Sequence, residues 1–353
     1  MKFGTSILPT HFLAQHLSLQ QILFGTLFML VGQMFLLVIL TTFSAKISWR
    51  FALFSALVYI LFSVSILNVY QFYFASFING FGLFFFYIFY NIAHFEKTPK
   101  AQRGHSSALM YIVPSIIGII APLLAGFIAQ FNLTLLWIVS IFSFFIAFYI
   151  VKFQEDFKIS YSLKSAVSEV KATRIFIFIE GIWEAMVIGI IPIFTLFFIK
   201  TPFNYGLFLT YLAAVSIIAN FSLGRLSDRL QKRTIFLYPL TIVMALVTVS
   251  FSIVNANIIT WIILAGVIQF LLPLFWNIST AMVVDVHPNL RLAIPGRELI
   301  LAMGRIIGLV LAVLSFSFEK APFYIFIILG SIFLLYPALL FWRTKISKTY
   351  SYL

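Results

Sequence analysis

The chain has 353 residues, 62% hydrophobic and only 9% charged, with no cysteine. Soluble domains carry about a quarter charged residues, so this composition excludes an ordinary water-soluble fold, and disulfides and thiolate metal sites are excluded with the cysteines. The net charge of +13 is large enough to suggest nucleic acid, but its distribution is that of a membrane protein.

A short apolar piece, residues 3–14, comes first. Pro9 and His11 interrupt it, so it does not read as a cleavable signal peptide. Eleven apolar stretches follow, at 21–41, 50–67, 71–94, 106–130, 133–152, 174–199, 204–224, 234–254, 257–283, 297–317 and 321–342. Each is close to the ~20 residues a helix needs to cross hydrocarbon. The one long polar connection, 152–173, is expected to carry a short surface helix. It divides the chain into a helical bundle at 1–152, a linker at 153–173 and a second bundle at 174–353.

Alternate connections hold 19 of the 23 basic residues, from Lys46 and Arg50 through Arg291 and Arg297 to Lys348, whereas the intervening ones hold only Lys200 and Lys320. Such alternation is the cytoplasmic excess of Lys and Arg that orients membrane proteins. It predicts a multi-pass protein of the cell membrane, with linker and carboxyl terminus in the cytoplasm and lipid, not nucleic acid, around it.

The two bundles echo each other. Lys46 to Arg50 stands 183 positions before Arg229 to Arg233, and Ile7-Leu8-Pro9 stands 183 before Ile190-Ile191-Pro192. Phe89-Tyr90-Asn91 and Phe275-Trp276-Asn277 match at 186. The same offset places the expected start of the first helix about ten residues before Met1, so the first span is read as partial.

Residues 224–233 resemble the signature loop of the major facilitator superfamily, Gly-x-x-x-Asp-Arg-x-Gly-Arg-Arg. Gly224, Asp228, Arg229, Lys232 and Arg233 fit it, while Gln231 replaces the second glycine. In the first-half copy Thr41 and Ala45 stand for the leading glycine and the aspartate. A weaker small-residue pattern, Ala121-Pro122 with Ala125-Gly126, is similar to a motif of antiporters in that family. The resemblance implies an all-α fold of two six-helix bundles (here eleven full spans and a partial first one), usually monomeric, with a gating loop at 224–233. Physically, an Asp228–Arg229 cluster at a helix boundary is suited to hold one conformation and to break in the other.

Inside the spans, Glu180 and Glu184 stand four residues apart on one helix face. Ionisable groups at membrane depth are costly and by default functional. Two neighbouring carboxylates repel in a low dielectric, and a shared proton relieves the repulsion. Glu184, about 15 Å along the helix from Arg174, is the first choice for a proton or substrate-cation site. The competing reading makes Glu180 and Glu184 structural partners of Arg305, with Glu298 a rival partner seven residues away; Arg305 is otherwise an anion-holding group. The resemblance places Asn91 and Asn277 on cavity-lining helices, and interhelical hydrogen bonding is the plain alternative. Glu96 and Asp285, at the ends of two spans, are candidates to assist the gate. No histidine has a ligand constellation, so neither metal nor cofactor is expected.

These features favour a secondary transporter of a small molecule, with proton-coupled efflux as the leading form and import of a sugar or amino acid next. An integral membrane transferase or a non-functional fragment are the alternatives from other classes. No Gly-x-x-x-x-Gly-Lys loop indicates an ATP-driven pump.

Overall fold

Hydrocarbon offers no water to backbone N–H and C=O groups, so apolar segments of this length must satisfy them internally as helices. The computed structural model describes residues 2–97, 103–229, 233–254, 257–287 and 289–346. Before the linker stand α1 (Lys2–Thr5), α2 (Leu8–Ala14), α3 (Leu19–Ile39), α4 (Ala45–Val64), α5 (Val69–Lys97), α6 (Arg103–Phe131) and α7 (Leu133–Val151). The linker carries α8 (Leu163–Glu169). After it come α9 (Arg174–Ala185), α10 (Ile191–Phe194), α11 (Pro202–Arg229), α12 (Arg233–Ser250), α13 (Ile258–Val286), α14 (Leu290–Ser315), α15 (Ile325–Phe333) and α16 (Leu335–Phe341).

All eleven expected spans fall on helices. Among the described residues ten segments are long and apolar enough to cross a membrane, and a shorter apolar stretch, Ile116–Phe131, belongs to α6. Polar caps fix where several begin. Ser18 and Gln21 close a capping box on α3, Asn132 caps α7 and Asn257 caps α13, satisfying amide groups that have no partner within the helix. Phe54, Phe142, Phe145 and Tyr149 are exposed on the outer surface, where lipid rather than water is the natural contact.

One boundary differs with consequence. The span expected at 297–317 begins at Leu290, so Arg297, expected in a connection, lies two turns inside α14. The linker also holds more than a helix. Thr42–Ser44 (β1) and Lys158–Ser160 (β2) pair antiparallel, with Phe43 opposite Ile159. Three residues are too few to show a strand period in the sequence.

Helices from either side of the linker meet along α3–α14 and α6–α11. Gln20 donates to Val313 O at 3.2 Å and Thr210 to Ile119 O at 2.9 Å. At the end bearing the basic connections, Phe43, Phe84, Phe85 and Phe89 pack in one apolar cluster with Ile294 and Leu299 of α14. Near the opposite end a cavity of about 200 Å³ opens between α2, α3, α4, α5 and the continuation of α9, lined by Thr26, Tyr59, Ser76, Asn79, Ile188 and Pro192 among others.

Candidate functional site: a buried row of charges

Glu180 and Glu184 lie one turn apart on α9, each only 1% exposed. Helix α14 comes close enough to reach both. A Cβ placed on Gly181 would sit 2.5 Å from Leu301 O, and one on Gly304 would sit 2.4 Å from Phe178 O. Only glycine permits this approach. The long side chains of α14 then extend along the seam.

Arg305 binds Glu184 Oε2 through Nη2 at 2.6 Å and Nε at 2.8 Å. Arg297 contacts Glu180 Oε1 at 2.8 Å and Glu298 Oε1 at 3.2 Å. The other oxygen of Glu298 lies 3.9 Å from Arg305 Nη1. The five groups form an alternating row: Glu180, Arg297, Glu298, Arg305, Glu184. Helix α13 adds two donors, Trp276 Nε1 to Glu184 Oε1 and Ser279 Oγ to Glu180 Oε1, the latter at 3.4 Å. Tyr87 of α5 is within electrostatic reach of Arg305 and Glu298, so the row faces the helices that precede the linker.

Alternation explains why such charges are tolerated at depth, since each guanidinium neutralises a neighbour across a charge-assisted hydrogen bond. It does not neutralise them all. Three carboxylates face two guanidiniums, leaving one negative charge in excess among the described side chains of the row.

Immediately beyond Glu184 the helix changes form. α9 ends at Ala185 and widens into a π-type turn over Met186–Ile190, followed by α10 and a tight turn at Thr195–Phe197. Widened turns recur at functional sites because they free backbone groups and re-aim side chains. Here the turn follows Glu184 directly and itself carries the cavity-lining Ile188, with Pro192 and Ile193 of the lining just beyond it.

The sequence candidates are thus partly assembled and partly dispersed. Glu180, Glu184, Glu298 and Arg305 come together. Arg297, Trp276 and Ser279 join them without having been expected. For Arg297 the one signal in the sequence was its spacing of eight from Arg305, close to two helical turns. Asn277 is buried on α13 and Asn91 half-buried on α5, with no hydrogen bond between them. Glu96 and Arg291, ending α5 and opening α14, pair at 2.7 Å in an exposed position at the basic end. The expected gating loop lies largely outside the described residues. The backbone of Gly224, Asp228 and Arg229 closes α11 and that of Arg233 opens α12, but their side chains, the side chain of Asp285, and Lys232 altogether are outside that description. Among the described residues no group of His, Asp or Glu is placed to hold a metal ion.

No family model matches the sequence, and no curated protein sequence does either. The solved structures do match. The human organic anion transporter MFSD10 (TETRAN) superposes with a TM-score of 0.62 over 95% of this chain and 83% of its own, at 12% identity. The chain has the major facilitator fold. At that identity the likeness carries helix arrangement and not chemistry, so the row of charges has to be read from its own geometry. In the major facilitator arrangement found here, the row sits on helices of the second half of the chain and faces the first.

Proposed function

We propose that this chain is a secondary transporter working by alternating access, with its two bundles, 1–152 and 174–353, rocking about the α3–α14 and α6–α11 seams. The observation that carries the reading is the buried row of five charges with one carboxylate in excess among its described side chains. A permanently buried net charge is expensive; a row that takes up one proton when closed and releases it when opened to water turns that cost into coupling. Glu184 is held by Arg305 and Trp276, and Glu298 lies between two arginines. Glu180 shares the guanidinium of Arg297 with Glu298 and has a long contact from Ser279, and it is the seat assigned to the proton.

The cavity beside the π-type turn is the counterpart on the substrate side. Its described lining offers hydroxyls, an amide and apolar surface, with no charged group, which suits a small uncharged solute. Proton release at Glu180 and solute movement past Ile188 would then be linked through a single helix, α9 with its continuation. By the distribution of Lys and Arg the basic end faces the cytoplasm, and the membrane is the cell membrane.

MFSD10 is an organic anion transporter, which gives the second reading. An anion would reach Arg297 or Arg305 by displacing a glutamate, so anion transport here would exchange a substrate carboxylate for Glu180, Glu298 or Glu184. Flux measurements in proteoliposomes, with uncharged and anionic solutes and an imposed pH gradient, separate the two. The proposal expects acceleration of an uncharged solute by the gradient; acceleration of anions alone would favour displacement, and no gradient effect on any transported solute would end proton coupling.

A further inference from the structure

The linker is fastened to both sides of the molecule. On one side, β2 completes a ladder with β1, the connection between α3 and α4. The ladder is extended by Ala45 N to Phe157 O at 2.9 Å, Tyr161 N to Thr41 O at 3.0 Å and Lys46 N to Asp156 Oδ1 at 3.1 Å. Tyr161 then turns inward and donates to Leu37 O at 2.8 Å, at the end of α3. Ile159 and Tyr161 are buried against Phe43.

On the other side, α8 lies against α14. A Cβ on Gly296 would sit 2.2 Å from Ala166 O and 3.3 Å from Val170 Cγ2, so the two backbones touch. Val170 packs with Ile177, Val283 and Ala293, and Thr173 Oγ1 meets His287 Nε2 at 3.0 Å. Between Tyr161, the last residue of the first anchorage, and Leu163, the first residue of α8, stands only Ser162.

One residue cannot span a widening gap, because a fully extended residue reaches no more than about 3.6 Å. From this we infer that the linker is a strap that holds the basic end shut: the ends of α3 and α14 cannot part there until one anchorage lets go. The ladder is hydrogen-bonded along its length and backed by buried aromatic rings. The α8–α14 contact is apolar, with no hydrogen bond between the described residues of α8 and α14. The weaker contact is the one that yields, so α8 lifts from Gly296 while β2 stays on β1. The inference concerns the conformation of the basic end and does not depend on which solute or ion is carried.

The test uses the natural absence of cysteine. Ala302→Cys introduces a single thiol on α14, eleven residues and three turns from Arg291, on the face turned toward the helices before the linker. Its labelling by a membrane-impermeant maleimide from the basic side, in inside-out vesicles, reports opening there. Two changes should each speed labelling about fivefold or more, a shift corresponding to ~1 kcal/mol. Gly296→Ala forces α8 away from α14. Four flexible residues inserted between Tyr161 and Ser162 leave both anchorages intact and only lengthen the bridge. Should Gly296→Ala fail to fold, the insertion decides alone. Unchanged labelling in the insertion variant, with a size-exclusion profile like that of the parent, would overturn the strap.

Discussion

Glu184 and Arg305 are the residues whose loss should be most costly to the fold. Their contact is short, doubly hydrogen-bonded and almost dry, and removing one member of such a pair leaves a buried charge uncompensated, typically at about 3 to 5 kcal/mol. Arg305→Leu, which leaves three carboxylates facing one guanidinium, is therefore expected to lower thermal stability strongly in detergent, and Arg305→Leu combined with Glu184→Leu to recover much of it; a double variant no better than the single one would contradict a paired role. Glu96 and Arg291 make the opposite case. Their pair is half exposed and solvent-screened, of the sort worth less than about 1 kcal/mol, so Glu96→Gln should scarcely move the melting temperature. Exchanging the two residues should preserve whatever the pair does. The sequence carried Glu180, Glu184, Glu298 and Arg305 into view because charges stand out in apolar runs. It hid Arg297, since a cation near a predicted helix end reads equally well as a topology signal, and only the start of α14 at Leu290 places it inside.

At the level of elements, two close approaches set the site and the strap, and both depend on glycine. Gly181→Ala puts a methyl group 2.5 Å from Leu301 O, which must push α9 from α14 and stretch the row. A loss of stability of about 1 to 3 kcal/mol is expected, together with altered pH dependence of transport, and a variant as stable as the parent would mean the seam is loose. The strap has an acid-sensitive end. Burial holds the His287 imidazole below the ordinary histidine range, with the charge of Glu169 acting the other way. A histidine kept neutral in the folded form supports it fully above about pH 6.5 and progressively less as the pH falls below that value. Labelling of Ala302→Cys from the basic side, divided by that of a small free thiol at the same pH to cancel the loss of thiolate, should therefore rise on acidification to about pH 5.5, and His287→Gln should abolish that rise. The helices themselves were legible from hydropathy, and α8 from the polarity of the linker. The β1–β2 ladder was not, because its partners lie over a hundred residues apart and each strand is three residues long.

For the whole molecule, the duplicated charge pattern and the eleven apolar runs pointed to two bundles, and the major facilitator fold follows from the arrangement of the helices. The division of labour between the bundles was not legible. The row of charges belongs to helices after the linker, and the uncharged cavity mostly to helices before it, with α9 and its π-type continuation touching both. In the proposed function, this asymmetry is what would couple a proton on one side to a solute on the other. The most direct test places the intact protein and its Glu180→Gln variant in proteoliposomes loaded with a pH-sensitive dye, then adds small uncharged solutes one at a time. Solute-driven proton movement in the parent, absent in Glu180→Gln, is the predicted result; the same proton movement in both would contradict the account.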